Sequence, residues 1–293
     1  MRLVTCIFEN QRYLGVVTGD DVFLPARASG APAEFRDMLT LIDGGSAALT
    51  HLAAATAAAG SNTVPLASVE LLAPIPRPRK NIVCLGWNYF DHAKESAAVG
   101  GRVAEIPEHP VVFTKSVTSV NGPYADIPAQ PDVTQQLDWE VELGVIIGTG
   151  GRDISEARAL DHVLGYTVIN DVSARDLQFR HKQYFLGKSL DGACPMGPWL
   201  VTCDEIADPQ NLQLRSWVNG ELNQNANTRD MIFSVARTIA ILSRGMTLEP
   251  GDIIATGTPA GVGFARTPPE FMKAGDVVEC EVAGIGRIKN RIV

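Results

Sequence analysis

Two runs that set acidic residues inside apolar sequence restrict what this 293-residue chain can fold into. The first is Asp138-Trp139-Glu140-Val141-Glu142-Leu143-Gly144, continuing into Val145-Ile146-Ile147. The second is Gly165-Tyr166-Thr167-Val168-Ile169-Asn170-Asp171. Both read as strands. Side chains of a strand alternate between faces, so Asp138, Glu140 and Glu142 point the same way, with successive acids roughly 7 Å apart. Periodicity alone does not choose among the three. Like charges that close, in an apolar strand, repel and resist desolvation unless something positive sits between them. A divalent cation meets that need, and an all-oxygen donor set suits magnesium or manganese better than zinc. Asp171 ends its strand ahead of the helix-compatible run 173–178, so it reads either as a further donor or as a helix N-cap.

The rest of the composition narrows the function. A hydrophobic content of 45% and a charged content of 20% fit an ordinary soluble globular chain. A net charge of −8 argues against nucleic acid and anionic membrane surfaces as partners. Small anionic substrates stay open, because a local metal and a few basic side chains outweigh the global field. The five cysteines, Cys6, Cys84, Cys194, Cys203 and Cys280, show no C-x-x-C spacing and read as reduced, mostly core thiols. With no signal-peptide pattern and no apolar run of spanning length, the expected location is cytoplasmic.

Along the chain, a small N-terminal α/β unit is expected over residues 1–72 and the main domain over 73–293. Strands are predicted at Leu3–Phe8, Tyr13–Val17 and Asp21–Leu24, then helices at Phe35–Ile42 and Ala48–Ala59. The proline-rich stretch Pro74–Arg79 marks the boundary. Beyond it come a strand over Asn81–Leu85, a helix over Asn88–Ala98, a loop over Val99–Pro110, a strand at Val111–Lys115 and an amphipathic helix over Asp230–Ser243. Pro250-Gly251-Asp252-Ile253-Ile254 and Ala274-Gly275-Asp276-Val277-Val278 form a weak echo, each a turn entering a strand. Many strands, few long helices and no regular βαβ alternation predict a β-dominated α+β fold.

Further groups carry chemistry. His92 and Glu95, three apart on a helix, can form a general base and its orienting carboxylate; a plain surface pair has the same spacing. Arg175 and Gln178 share a helical face, and a buried Lys188 would polarise a carbonyl or stabilise an enolate. The small-residue loop Thr256-Gly257-Thr258-Pro259-Ala260-Gly261-Val262-Gly263 offers amides and the Thr258 hydroxyl to a substrate carboxylate, and it lacks the ending of a P-loop.

Taken together, the blocks Gly86-Trp87-Asn88-Tyr89 with His92 and Glu95, Asp138–Leu143, Asn170–Gln178, Gly187-Lys188-Ser189 and Thr256–Val262 resemble the fumarylacetoacetate hydrolase family over residues 80–293. The resemblance implies a mixed β-roll catalytic domain and a homodimer. It implies Mg²⁺ or Mn²⁺ held by Glu140, Glu142 and Asp171, with Asp138 outside the donor set. His92 and Glu95, on a segment that orders over substrate, and Lys188, as an electrophilic residue, are then expected to be catalytic, and Arg175, Gln178 and Thr258 to contact a small 2-oxo acid. The N-terminal unit is shorter than in the tyrosine-degrading members, so the chain looks closer to bacterial-type acylpyruvases and 2-hydroxymuconate isomerases. The leading expectation is hydrolysis of a C–C bond in a β-diketo acid of the acylpyruvate or fumarylpyruvate class, in catabolism of aromatic ring-cleavage products. The alternatives are an isomerase or decarboxylase of a related 2-oxo diacid, of the 5-carboxymethyl-2-hydroxymuconate or oxaloacetate type, and a non-catalytic member.

Overall fold

The computed structural model describes every residue but 29, 61, 100, 102, 104 and 105. Part of the loop expected over Val99–Pro110 therefore lies outside the described residues. The strands are β1 (Arg2–Phe8), β2 (Gln11–Thr18), β3 (Asp21–Phe23), β4 (Val64–Pro65), β5 (Glu70–Leu72), β6 (Ile82–Gly86), β7 (Val111–Lys115), β8 (Val120–Asn121), β9 (Leu137–Asp138), β10 (Val141–Ile147), β11 (Val163–Asn170), β12 (Ser173–Ala174), β13 (Cys194–Thr202), β14 (Gln213–Val218), β15 (Glu221–Asn227), β16 (Ile253–Ala255), β17 (Val277–Val282) and β18 (Gly286–Arg291). The helices are α1 (Met38–Asp43), α2 (Gly45–Ala58), α3 (Phe90–Val99), α4 (Arg175–Arg180), α5 (Phe185–Lys188) and α6 (Val235–Leu242).

A large mixed sheet runs in the order β4-β3-β2-β1-β13-β11-β10-β16-β6-β7, with β5 added on β1 and β8 on β13. A second, four-stranded sheet runs β15-β14-β17-β18. The expected β-dominated α+β architecture is what forms. The division expected at residue 72 falls between β5 and β6, yet the large sheet runs across it, because β1 pairs antiparallel with β13 through Arg2↔Val201 and Leu3↔Leu200.

Central strand β10 is buried along its whole length. Val141, Leu143, Val145 and Ile147 pack into the core shared with the second sheet and α6. Ile146, on the opposite face, packs with α1, α2 and the first strands. Period-2 alternation therefore puts Glu142 on the Ile146 face, between two apolar layers. There a carboxylate is costly unless compensated.

Local differences from expectation have physical causes. Trp139 and Glu140 lie in a break between β9 and β10, so Glu140 stands at the mouth of the strand instead of within it. The amphipathic helix begins at Val235, not Asp230: the Ser234 hydroxyl caps it by accepting the Arg237 N–H, and Thr228–Asp230 form a separate 3₁₀ turn closed by an Asn227 capping box. Phe35–Ile42 likewise splits, because Asp37 caps a helix starting at Met38 and leaves Ala33–Phe35 as a 3₁₀ turn. The two echoed turns do precede strands, β16 and β17. Each aspartate accepts the amide three residues back, Glu249 N–H on Asp252 and Lys273 N–H on Asp276, both at 2.8 Å. All five cysteines are free, and only Cys203 is exposed. Among the described residues no helix is long and apolar enough to cross a membrane.

Candidate active site

The antiparallel register of β10 on β11 sets Val141 against Asn170. That places Glu140 beside Asp171, residues 31 apart in sequence. The Asp171 amide donates to the Glu140 carbonyl at 2.9 Å, and the Glu140 amide donates to Asn170 Oδ1 at 3.1 Å. Glu140, Glu142 and Asp171, all buried, each bring a carboxylate oxygen within 4.8 Å of the others. Asp171 is no N-cap. Helix α4 starts at Arg175, preceded by Ala174 without a side-chain cap.

Three buried cations surround the acids. Lys188 Nζ lies 2.7 Å from Glu140 Oε2 and 2.7 Å from Asp171 Oδ2. Lys115, at the end of β7, reaches Asp171 Oδ1 at 2.7 Å and donates to the Val172 carbonyl at 3.1 Å. Arg175 donates from Nε to Asp138 at 2.8 Å, holds Nη2 2.7 Å from Glu140 Oε1, and donates from Nη1 to Gln178 Oε1 at 3.0 Å. Two of these contacts, Lys115 to Asp171 Oδ1 and Arg175 Nη2 to Glu140, are close without being aligned, so Asp171 Oδ1 is buried with a charge nearby and no hydrogen-bond donor. Asp138 plays a different part from the other acids. Its carboxylate accepts the amides of Trp139, Gly263 and Phe264 together with Arg175, which anchors the loop after β16 onto α4.

The electrostatics divide the acids. Burial pushes Glu140 up, but Lys188 and Arg175 more than offset it and hold the carboxyl at about 2. Glu142 is pushed well above the usual carboxylate range by burial first, then by Asp171 and Glu140, and Lys188 and the Gly257 N–H at 2.8 Å offset only part of this. Lys188 loses some basicity to burial, yet Asp171 and Glu140 raise it above the ordinary lysine value. Four buried carboxylates thus face three buried ammonium or guanidinium groups. A hard divalent cation fits this donor set: it would relieve Glu142 and take up the unpartnered Asp171 oxygen.

The loop 256–263 does more internal work than the sequence implied. Its Gly257 amide serves Glu142 and its Gly261 amide serves Glu95 Oε2 at 2.9 Å. The Thr258 hydroxyl donates to the Val141 carbonyl and accepts from Gln224 Nε2 at 2.7 Å. Protein carboxylates therefore take three of the loop's amides, those of Gly257, Gly261 and Gly263. The backbone permits this because Gly257 and Gly261 sit at φ +94° and +106°, and a Cβ on Gly261 would lie 2.1 Å from the Asn223 carbonyl oxygen.

On α3, His92 Nδ1 is 2.8 Å from Glu95 Oε1, and the imidazole is buried. The pair is therefore not the plain surface pair its spacing also allowed. Nε2 is left as the free ring nitrogen of a residue lining a cavity of about 750 Å³. Glu140, Lys188, Arg175, Gln178 and Thr258 line the same cavity, while Glu142 and Asp171 lie behind that surface. The fold thus gathers every sequence-predicted residue at one place. Sequence reasoning passed over Lys115, although a lysine closing the strand Val111–Lys115 was a usable signal. Asn88, which ties down the turn into α3 through the Phe233 and Thr256 carbonyls, stood in the sequence only as part of the Gly86–Tyr89 block with no role of its own, and Gln224 gave no signal at all.

Comparison with known proteins agrees with this geometry. Residues 81–293 match the model of the fumarylacetoacetate (FAA) hydrolase C-terminal family. Oxaloacetate tautomerase YisK of Bacillus subtilis is 53% identical over 233 residues, covering 80% of this chain and 76% of that protein. The mitochondrial oxaloacetate tautomerase FAHD2A of Homo sapiens is 43% identical over 283 residues, covering 96% and 87%. The structure of maleylpyruvate hydrolase from Sphingobium sp. SYK-6, solved with manganese(II) ion and pyruvate, superposes with a TM-score of 0.78 at 32% identity, covering 100% of this chain and 99% of that one. The buried carboxylate trio, the His92–Glu95 pair and these matches make the chain a member of the fumarylacetoacetate hydrolase family.

Proposed function

We propose that this enzyme interconverts the enol and keto forms of a small 2-oxo diacid of the oxaloacetate type. The carrying observation is that His92, backed by Glu95, opens onto the same cavity as Lys188 and Arg175. Moving a proton between an enol oxygen and the adjacent carbon needs one base and stabilisation of the enolate between the two transfers. It needs neither an activated water nor a leaving group. The expected C–C hydrolysis asks for both, and two relatives that align over most of the chain carry oxaloacetate tautomerase names. The isomerase alternative therefore displaces the hydrolase reading.

In this reading Glu140, Glu142 and Asp171 hold Mg²⁺ or Mn²⁺, which supplies Lewis-acid stabilisation of the enolate charge when bound. Lys188 spends two N–H groups on carboxylates, and the third is available to an anionic oxygen in the cavity. Arg175 and Gln178, locked to each other, orient a substrate carboxylate. Thr258 contributes shape, since its hydroxyl is engaged on the protein side. His92 Nε2 accepts the proton from one substrate atom and returns it to the other, with Glu95 fixing the ring. The reading includes a cytoplasmic homodimer, which sedimentation of the purified chain tests separately.

The deciding experiment follows the ultraviolet absorbance of enol-oxaloacetate with catalytic amounts of the Mg²⁺- or Mn²⁺-loaded chain. Parallel arms measure pyruvate release from an acylpyruvate and CO₂ release from oxaloacetate. Rapid enol loss with little cleavage or CO₂ supports the tautomerase. Acylpyruvate cleavage faster than enol loss would restore the hydrolase, and CO₂ release keeping pace with enol loss would make it a decarboxylase.

A further inference from the structure

The cavity is built for more than a four-carbon diacid. Its volume of about 750 Å³ is in the range that takes drug-sized ligands. Aromatic residues are 6% of the chain yet supply five of the eighteen lining residues: Trp87, Phe113, Phe179, Tyr184 and Phe264. Four of them form two edge-to-face pairs. Phe113 and Tyr184 lie 5.6 Å apart at 70°, and Phe179 and Phe264 lie 5.5 Å apart at 61°.

Each pair is joined to one cation of the polar floor. Lys188 Nζ sits 5.1 Å from the Phe113 ring centre, and the Arg175 guanidinium sits 4.4 Å from that of Phe264. The aromatic surface therefore begins where a substrate carboxylate and enolate oxygen would bind. A substituent on C3 of a 2-oxo acid is three bonds from the carboxylate carbon, so it meets these rings without the head group leaving the floor. Among the described lining residues, Arg175 and Lys188 are the lysine and arginine side chains, and both belong to that floor. Beyond it the described wall is mostly rings and aliphatic groups, such as Ala93, Ala97 and Val103, with Ser96 as a polar exception.

Trp87 adds an independent observation. Its φ of 55° puts a bulky residue in the left-handed region, a strained conformation that persists only when its surroundings enforce it. Asn88 enforces it here, through side-chain bonds to the Phe233 and Thr256 carbonyls and the Phe233 amide. The outcome is an indole held at the cavity, 41% exposed and with no aromatic partner recorded for it among the described residues.

We propose that this site also takes 2-oxo acids bearing an aryl group on C3, with the two aromatic pairs and Trp87 receiving the ring. This rests on the proton-transfer reading above. The step balances by itself: the enol O–H proton leaves to His92, the C2=C3 π pair forms the new C3–H bond with a returned proton, and C2=O forms. No co-reactant is consumed. A planar aryl enol, conjugated from ring to carboxylate, matches a rim of edge-to-face rings better than a flexible acyl chain does.

The test measures enol-phenylpyruvate and enol-oxaloacetate decay in borate-free buffer with the Mn²⁺-loaded full chain, then repeats both with Phe179→Ala. Phe179 is 58% exposed, so the truncation leaves the core intact. Expected are turnover of both enols and a fall of about 10-fold in the phenylpyruvate-to-oxaloacetate ratio of kcat/KM in the variant. Trp87→Gly, which also removes the backbone strain, should lower the same ratio. Oxaloacetate turnover with neither turnover of, nor competition by, phenylpyruvate overturns the aryl proposal and leaves the tautomerase reading standing. Phenylpyruvate turnover with a ratio unchanged in both variants also overturns it. Loss of enol decay for both substrates with the unmodified chain would instead strike the tautomerase reading itself.

Discussion

Replacing Glu142 by glutamine should stabilise the metal-free protein, although it removes a residue from the centre of the site. Glu142 is 1% exposed and has Glu140 and Asp171 within 4.8 Å. Burial and those two carboxylates work against its charge, and Lys188 and the Gly257 amide offset only part of that. Glutamine keeps the shape and an oxygen for the Gly257 N–H while discarding the charge. Relief of a poorly compensated buried charge is worth about 2 kcal/mol, or about 3 °C in Tm for a chain of this size.

The pH dependence has a defined sign. The folded-state pKa of Glu142 is raised, so its ionisation opposes folding. The advantage of glutamine should be absent below the ordinary carboxylate range and grow as pH rises through it. Adding Mn²⁺ at a hundred times its Kd should stabilise the parent by about 2.7 kcal/mol and the variant far less, which reverses their order. Differential scanning calorimetry in chelator, across pH, and then with Mn²⁺ reads all of this. A variant that melts below the parent in chelator, or equal metal shifts for both proteins, would refute the reasoning.

Lys115→Met should destabilise the chelated protein by about 3–5 kcal/mol in denaturant unfolding, because the buried Asp171 carboxyl loses the ammonium 2.7 Å from it. Adding Asp171→Asn to that variant should recover part of the loss, and additive effects of the two changes would show that the groups are not coupled. His92→Ala should slow enol decay by about 10²–10⁴-fold while leaving the Mn²⁺ affinity measured by calorimetry near that of the parent, and a parallel loss of both would make His92 structural or a ligand. We propose residues 1–72 as a unit of sequence that does not unfold on its own, since β1 pairs with β13 and Leu3, Leu14 and Leu52 share a core with Ile82, Ile146 and Ile169. One coincident transition by fluorescence and circular dichroism is expected, and two separated transitions would contradict it.

Much of the site was readable because it depends on local chemistry. Two glutamates alternating with valine and leucine demand a counter-charge wherever the strand lies, and a histidine three residues before a glutamate meets it on any helix. Strand identity was equally local: Leu3–Phe8, Tyr13–Val17 and Val111–Lys115 follow from side-chain pattern and match β1, β2 and β7 to within a few residues. Helix ends were less legible. Whether Asp230 or Val235 opens the helix depends on a competition between an Asn227 capping box and a Ser234 cap, and that is decided by how the preceding turn packs.

What the sequence determined by itself was therefore the kind of chemistry: buried acids, a base with its orienting partner, and cations to balance them. Which acid belongs where was a tertiary decision. The Val141↔Asn170 register brings Asp171 to Glu140, while the Gly263 and Phe264 amides draw Asp138 away to hold Arg175. Lys115 became part of the site in the same way, because β7 lies beyond β6 and β16 in the sheet and its end meets Asp171 from far along the chain. Period and spacing report which face a side chain takes. They carry no information on which strand is its neighbour, and electrostatics between buried groups depends on that distance above all.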